Sequence, residues 1–259
     1  MLDVFPKGFV IRSVTLTASS LVLIALTVGC SGSTPDVATT ATSTRPAPVP
    51  EPFYGKSNAK VVAQVKAEVK AASSVHVAVW IKPKGKNKRL RANLKMTRAG
   101  RCVGTVVIAG STVSFRRPGR TLYLKADRNF WSGFPDTADV MANRWIKIPK
   151  GWSKETDTYI AMTRPVYWIQ ELMAMGPVEV EDLTRETGIL RGGTQTTALS
   201  DWAQDLPGAT AYYVSSVGPA YPYEFKFGPP DWEWREFRGW NSTAVNVVAP
   251  ERALDLNSL

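Results

Sequence analysis

From residue 74 onward the apolar residues recur at every second position. In "SVHVAVWI" Val75, Val77, Val79 and Ile81 point one way, and in "RLRANLKMT" Leu90, Ala92, Leu94 and Met96 alternate with Arg91, Asn93 and Lys95. A period of two sends successive side chains to opposite faces of a strand, so the two segments read as a hairpin. The pattern continues through "CVGTVVIA", "STVSFRR" and "RTLYLKAD". Ala-Gly-Ser and Arg-Pro-Gly turn signals separate them, which makes an antiparallel meander with one wet face. "NRWIKIP" adds a further edge. Strands resume with "VEVEDLTRE", "ATAYYVSS", "PYEFKFG", "DWEWREF" and "TAVNVVA". Tyr223, Phe225 and Phe227 alternate with Glu224 and Lys226, and the turn "GPPD" leads to Trp232 and Trp234 flanking Glu233, as a hairpin demands. No internal repeat is present.

Helical periodicity appears at three places. "SNAKVVAQVKAEVKAAS" has Ser57 as its N-cap, with Val61, Val62, Val65, Val69 and Ala72 on one face and Lys60, Lys66 and Lys70 on the other. "PDTADVMANR" reads as helical. "TRPVYWIQELMAMG" starts at Pro165 and stops at Gly176, as proline and glycine dictate. Val166, Tyr167, Trp168, Ile169, Leu172, Met173 and Met175 leave this last helix little polar surface. Two readings stand: a helix buried in the core, or one covering a hydrophobic cavity. The fold class that follows is α+β, one long, strongly curved antiparallel sheet with a few helices on its concave side.

The beginning of the chain is of another kind. Lys7 and Arg12 precede an uncharged run from Ser13 to Val28, the layout of a secretory signal. The unbroken apolar core, Leu21 to Val28, is too short for a membrane span, which needs about 20 apolar residues. Thr27-Val28-Gly29-Cys30 resembles the lipobox of bacterial lipoproteins, with Thr27 in the usual leucine position and Leu26 one place earlier. The resemblance implies that a diacylglyceryl group is attached to the Cys30 thiol and that cleavage falls just before it. Two acyl chains anchor a protein stably, at about 0.8 kcal/mol per buried methylene. Residues 31–52 are rich in Ser, Thr, Pro and Ala and have almost nothing to bury, so they read as a tether of roughly 25 Å reach. The expected organisation is therefore a signal peptide over 1–29, the lipidated cysteine and tether over 30–53, and one domain over 54–259. The expected location is the extracytoplasmic face of the cell membrane.

Asp3, Lys7 and Arg12 are the only charges ahead of Cys30, so of 32 basic and 22 acidic residues, 30 and 21 follow it. That excess suggests attraction to anionic surfaces. It is concentrated in "KPKGKNKRLR", where Lys82, Lys84, Lys86, Lys88, Arg89 and Arg91 occur without an acid. The segment is either a solvated hairpin tip or a docking site for anionic phospholipid headgroups. Nucleic acid suits a protein tethered outside the cytoplasm less well and is not an expected partner.

Nothing in the sequence argues for catalysis. His76 is the sole histidine and lies inside an apolar strand. "SNAK" matches Ser-x-x-Lys by chance at a helix start, and its companion motifs are missing. There is no zinc spacing and no phosphate-cradling loop, and no metal or cofactor is expected. Glu179, Glu181 and Asp182 read as the wet face of a strand. Cys102, the second of two cysteines, reads as a buried, inert thiol.

The order helix, "SSVHV", glycine-punctuated strands, "TLYLKADRNFW", "ADVMANRWIKIP" and "YPYEFKFG" resembles actinobacterial lipoproteins of the LppX/LprG group, whose fold is similar to the LolA/LolB carriers. The resemblance implies a half-open barrel with helices across its mouth and acyl chains in its cavity, and it brings no catalytic residues. An acyl lipid or glycolipid is the ligand it implies. Exposing a sixteen-carbon chain to water costs on the order of 12 kcal/mol, so a carrier must surround it with apolar walls. The wall candidates are Val77, Val79, Ile81, Leu94, Met96, Leu122, Leu124, Trp168, Leu172, Phe225 and Phe227. Each taken singly reads as ordinary core, and the expectation concerns the set. The alternative function is a surface-anchored module for another envelope protein, with "DWEWREFRGW" as its contact patch.

Overall fold

A computed structural model describes residues 53–82, 90–108, 110–201, 210–227 and 232–258. Residues 1–52, which include the segments read as signal peptide and tether and Cys30, lie outside the described residues. So do Lys84, Lys86, Lys88 and Arg89.

Phe53, the first described residue, is fully buried. Its carbonyl accepts a hydrogen bond from the Lys56 amide. Helix α1 (Asn58–Ala71) follows, and the Ser57 side chain accepts from the Lys60 amide, so the Ser-x-x-Lys match is a helix cap. Val61, Val62, Val65 and Val69 are buried.

Strands β1 (Ser74–Lys82), β2 (Leu90–Thr97), β3 (Cys102–Ile108), β4 (Ser111–Arg117), β5 (Leu122–Lys125) and β6 (Ile146–Ile148) form the expected meander. A second meander comprises β7 (Thr184–Arg191), β8 (Thr194–Ser200), β9 (Thr210–Ser215), β10 (Pro222–Phe227) and β11 (Trp232–Arg238). Pairing of β1 with β11 joins them, with β12 (Leu254–Asp255), into one open, curved sheet of twelve strands among the described residues, in the order β12-β6-β5-β4-β3-β2-β1-β11-β10-β9-β8-β7. The fold is thus the α+β architecture read from the sequence.

This order explains where the helices go. The chain leaves β6 near one margin and must start β7 at the other, so the connection crosses the whole sheet. It carries α3 (Lys154–Met162), a 3-10 turn over Pro165–Ile169, α4 (Gln170–Ala174) and α5 (Pro177–Glu181). α1 packs against the 3-10 turn, α4 and α5, and the turn packs on β1. Residues 51–259 hold all of these elements as a single unit. Among the described residues no helix is long and apolar enough to cross a membrane.

Several local expectations need correction. The helix read from Pro165 to Gly176 begins as a 3-10 turn and becomes α-helical only at Gln170. "PDTADVMANR" yields a single turn of helix, α2 (Ala138–Met141). "VEVEDLTRE" is not one strand: its first part is α5, and only Thr184 onward is β7. Val178 and Val180 mimic a strand's alternation, but Pro177 suits a first helical turn and the Glu179 carboxylate accepts from the Gly176 amide. Glu179 and Glu181 therefore belong to a helix, and the Glu181 carboxylate accepts from the Ala59 amide at the start of α1. "TAVNVVA" has no regular structure. The sheet margin next to β6 is instead β12 (Leu254–Asp255), a parallel pairing held by a Lys147–Asp255 ion pair of 2.7 Å, so β6 is not an edge. α3, β8 and β12 lacked a reading altogether.

Candidate functional site

Residues directly opposite one another in an antiparallel ladder share a face, so register alone shows which candidates meet. Val77 lies between Leu94 and Phe237, and Val79 between Ala92 and Arg235. Ile81 lies between Leu90 and Glu233. Met96 faces Val75 and Cys102, and Leu94 faces Gly104, which faces Phe115. Phe115 faces Leu124, which faces Ile146, and Leu122 faces Ile148. Phe225 lies between Arg235 and Tyr212, and Phe227 between Glu233 and Thr210. All nine strand candidates therefore lie on one face of the sheet. That face runs almost unbroken from β6 through β1 to β9.

Trp168 and Leu172 come from the crossing connection, in the 3-10 turn and in α4. The Trp168 indole N–H donates to the Met162 carbonyl at 2.9 Å, which folds the turn back onto the end of α3. Its own carbonyl accepts from Arg235 Nη1 at 2.5 Å, which ties the turn to β11. Val77, Leu94, Met96 and Leu172 have no accessible surface, whereas Ile81 and Phe227 are half-buried. The 3-10 turn of this cover packs directly on β1.

The cover has a matched footing on β4. Tyr159 in α3 and Thr163 at its C-cap are four residues apart, about 6 Å of helix, while Phe115 and Arg117 are two apart on β4, about 6.8 Å of strand. Phe115 meets Tyr159 edge-to-face with ring centres 6.0 Å apart. Arg117 Nη1 donates to Thr163 Oγ1 at 2.5 Å and to the Ile160 carbonyl at 3.5 Å.

Charged groups on the inner face are what the sequence reading missed. Arg117, Glu233 and Arg235 all point inward. The signal was present, since Arg117 has the same parity as Val113 and Phe115. In β11 the charges mislead: Glu233, Arg235 and Phe237 take the inner face, while Trp234 faces out, its indole N–H donating to Glu224 at 2.8 Å. Arg235 ion-pairs with Glu233 and lies over the Phe225 ring at 4.8 Å.

The remaining candidates are scattered by comparison. Lys82 and Arg91 are exposed at the ends of β1 and β2 that lead into residues 83–89. His76 bonds Asn93 Oδ1 at 2.8 Å on the outer face. Cys102 is a free, buried thiol, and burial pushes its pKa up to about 12 against the opposing pull of Arg117. Trp240, in the suggested contact patch, donates to the Pro222 carbonyl and stacks on Tyr221 at 4.9 Å. Among the described residues no group of three or more His, Cys, Asp or Glu side chains is placed to hold a metal ion.

No family model matches this chain, and no curated protein matches it. Among solved structures it is similar to lipoprotein LppX of Mycobacterium tuberculosis, at 14% identity over 73% of this chain and 98% of that one, with a TM-score of 0.46. It is similar also to LprF from Mycobacterium bovis, at 11% identity over 74% and 96%, TM-score 0.44. A LolA-superfamily protein from Nitrosomonas europaea shares 8% identity over 73% and 95%, TM-score 0.22. With identities of 8–14% and TM-scores below 0.5, these likenesses carry nothing over to this chain.

Proposed function

We propose that this chain is a lipid-anchored protein of the cell envelope that binds an acyl-chain ligand between the inner face of its sheet and its helical cover. The observation that supports it is the convergence of all nine strand candidates on one face, with Trp168 and Leu172 brought over that face by the crossing connection. A sheet buried on one side needs only ordinary core. A cover fastened to that side by a few side-chain ties, rather than by the ladder, supplies in addition a way to open it. In this reading Cys30 carries the anchor, residues 31–52 are the tether, and the protein acts by binding and release without catalysis.

The test is extraction and mass spectrometry of lipids that co-purify with the chain lacking residues 1–30, which keeps the whole folded unit. A homogeneous set of acyl lipids in near-stoichiometric amount is expected. An empty protein that also takes up no added lipid would leave the envelope-module alternative. Lys82, Lys84, Lys86, Lys88, Arg89 and Arg91 are proposed to dock on anionic headgroups, each contributing about 1 kcal/mol. Replacing the four lysines with glutamine weakens binding to anionic vesicles on this reading, and unchanged binding rejects it.

A further inference from the structure

Three arginines face inward from the sheet, and they are provided for differently. Arg185, opposite Leu199, donates to the Lys56 carbonyl at 2.7 Å and to the Phe53 carbonyl at 3.4 Å. Arg235 has a carboxylate, Glu233, beside it and the Trp168 carbonyl above it. Arg117 is only 5% exposed, yet among the described residues no carboxylate lies within ion-pair distance of it. Its two acceptors, Thr163 Oγ1 and the Ile160 carbonyl, are neutral and both belong to the end of α3. Nε is buried without any hydrogen-bond partner. The charge that acts on it most from outside is Arg164, of the same sign; burial first and Arg164 second hold the Arg117 pKa below its ordinary value. The neighbouring Cys102 thiol stays protonated and offers no counter-charge.

A guanidinium carries five N–H donors in a planar fork suited to two oxygens of one anion. The local backbone leaves room for this fork: Gly100 sits under it, and a Cβ there would come within 2.7 Å of Nη1. When the cover separates from β4 to admit a ligand, Thr163 and Ile160 leave with it. Arg117 is then a bare charge among Met96, Cys102 and Phe115, the arrangement an apolar interior tolerates least.

We propose that Arg117 is the headgroup subsite of the interior: it takes the anionic end, carboxylate or phosphate, of an acyl-chain ligand whose hydrocarbon lies along Phe115, Leu124 and Ile146. The proposal rests on the acyl-binding reading and narrows it to acidic lipids. The anion replaces Thr163 and Ile160 as the partner of the fork and reaches the Nε that they leave unused.

The experiment is equilibrium binding of tritiated oleate and tritiated oleyl alcohol, below their aggregation limits, to the chain lacking residues 1–30. Dioleoyl phosphatidate and dioleoylglycerol form a second pair that separates phosphate from carboxylate. The unaltered protein is expected to prefer the acidic member of at least one pair by tenfold or more. Arg117→Met brings the members of that pair within about twofold by weakening the acid alone, and Arg117→Lys recovers part of the preference. Equal binding within both pairs by the unaltered protein overturns the proposal while leaving acyl binding intact, and this comparison does not depend on any variant folding. A preference that survives in a folded Arg117→Met protein overturns it equally. If neither member of either pair binds, the acyl-binding reading falls and this proposal with it.

Discussion

Replacing Trp168 by alanine tests whether the cover can part from the sheet on its own. The indole is 2% exposed, so its removal withdraws an aromatic surface of about 200 Å² from the interior, on the order of 4–5 kcal/mol at about 25 cal/mol per Å². The Met162 carbonyl also loses its donor. Measured large-to-small substitutions at such sites cost about 3–5 kcal/mol, which agrees. The 3-10 turn packs on β1, so the indole's burial is withdrawn when the cover opens, whether or not the sheet unfolds, whereas the Met162 bond lies within the cover. The free energy of local opening should therefore fall by about 4 kcal/mol, which accelerates amide exchange roughly a thousandfold over residues 154–174. In the same sample the amides of β2, β3 and β4 should remain better protected than those of the cover. Hydrogen exchange read by mass spectrometry gives both values at once. If cover and sheet amides share one opening free energy in the parent and in Trp168→Ala, the cover is part of a single cooperative unit and the ligand has no way in.

Two further predictions concern the scaffold. Gly104 has φ +152°, and a Cβ there would lie 2.0 Å from the Asn93 carbonyl oxygen and 2.9 Å from Leu94 Cα, both backbone atoms. Gly104→Ala must therefore push β2 from β3, and a loss of about 2–4 kcal/mol in urea unfolding is expected; a loss under 1 kcal/mol would show that the pair is not so close. Cys102 has a folded-state pKa raised to about 12 from 9.0. The unfolded chain releases this proton first, so the thiol's contribution to stability is complete below pH 9 and declines between pH 9 and about 12, by up to ~1.4 kcal/mol per pH unit. Cys102→Ala should flatten the alkaline fall of stability relative to the parent, and parallel curves would contradict the burial argument.

The fold was legible where one periodicity ruled. β1 to β5 alternate cleanly because the sheet has one buried face, and α1 carries its cap and its valines in register. Legibility failed where two signals competed. Val178 and Val180 alternate as a strand would, but a proline and a side-chain cap won locally. α3 escaped notice because the buried positions of the helix and its C-cap, Thr156, Tyr159, Met162 and Thr163, include two threonines that read as surface. β8 went unread although Gly192 and Gly193, both with positive φ, mark the hairpin turn before it. The apolar wall could be listed from parity alone, since parity fixes the face of a strand. The inward charges could not be valued the same way. Whether Arg117 has a partner is decided by α3, and nothing in the strand that carries Arg117 announces that helix.

The most direct measurement of the central claim is photolabelling with a fatty acid that carries a diazirine along its chain, followed by peptide mapping of the chain lacking residues 1–30. The account predicts labels on inner-face residues such as Leu122, Leu124 and Phe225 and on Trp168 or Leu172 opposite them, displaced by excess oleate. Labels confined to the outer face, or none that oleate displaces, would contradict it.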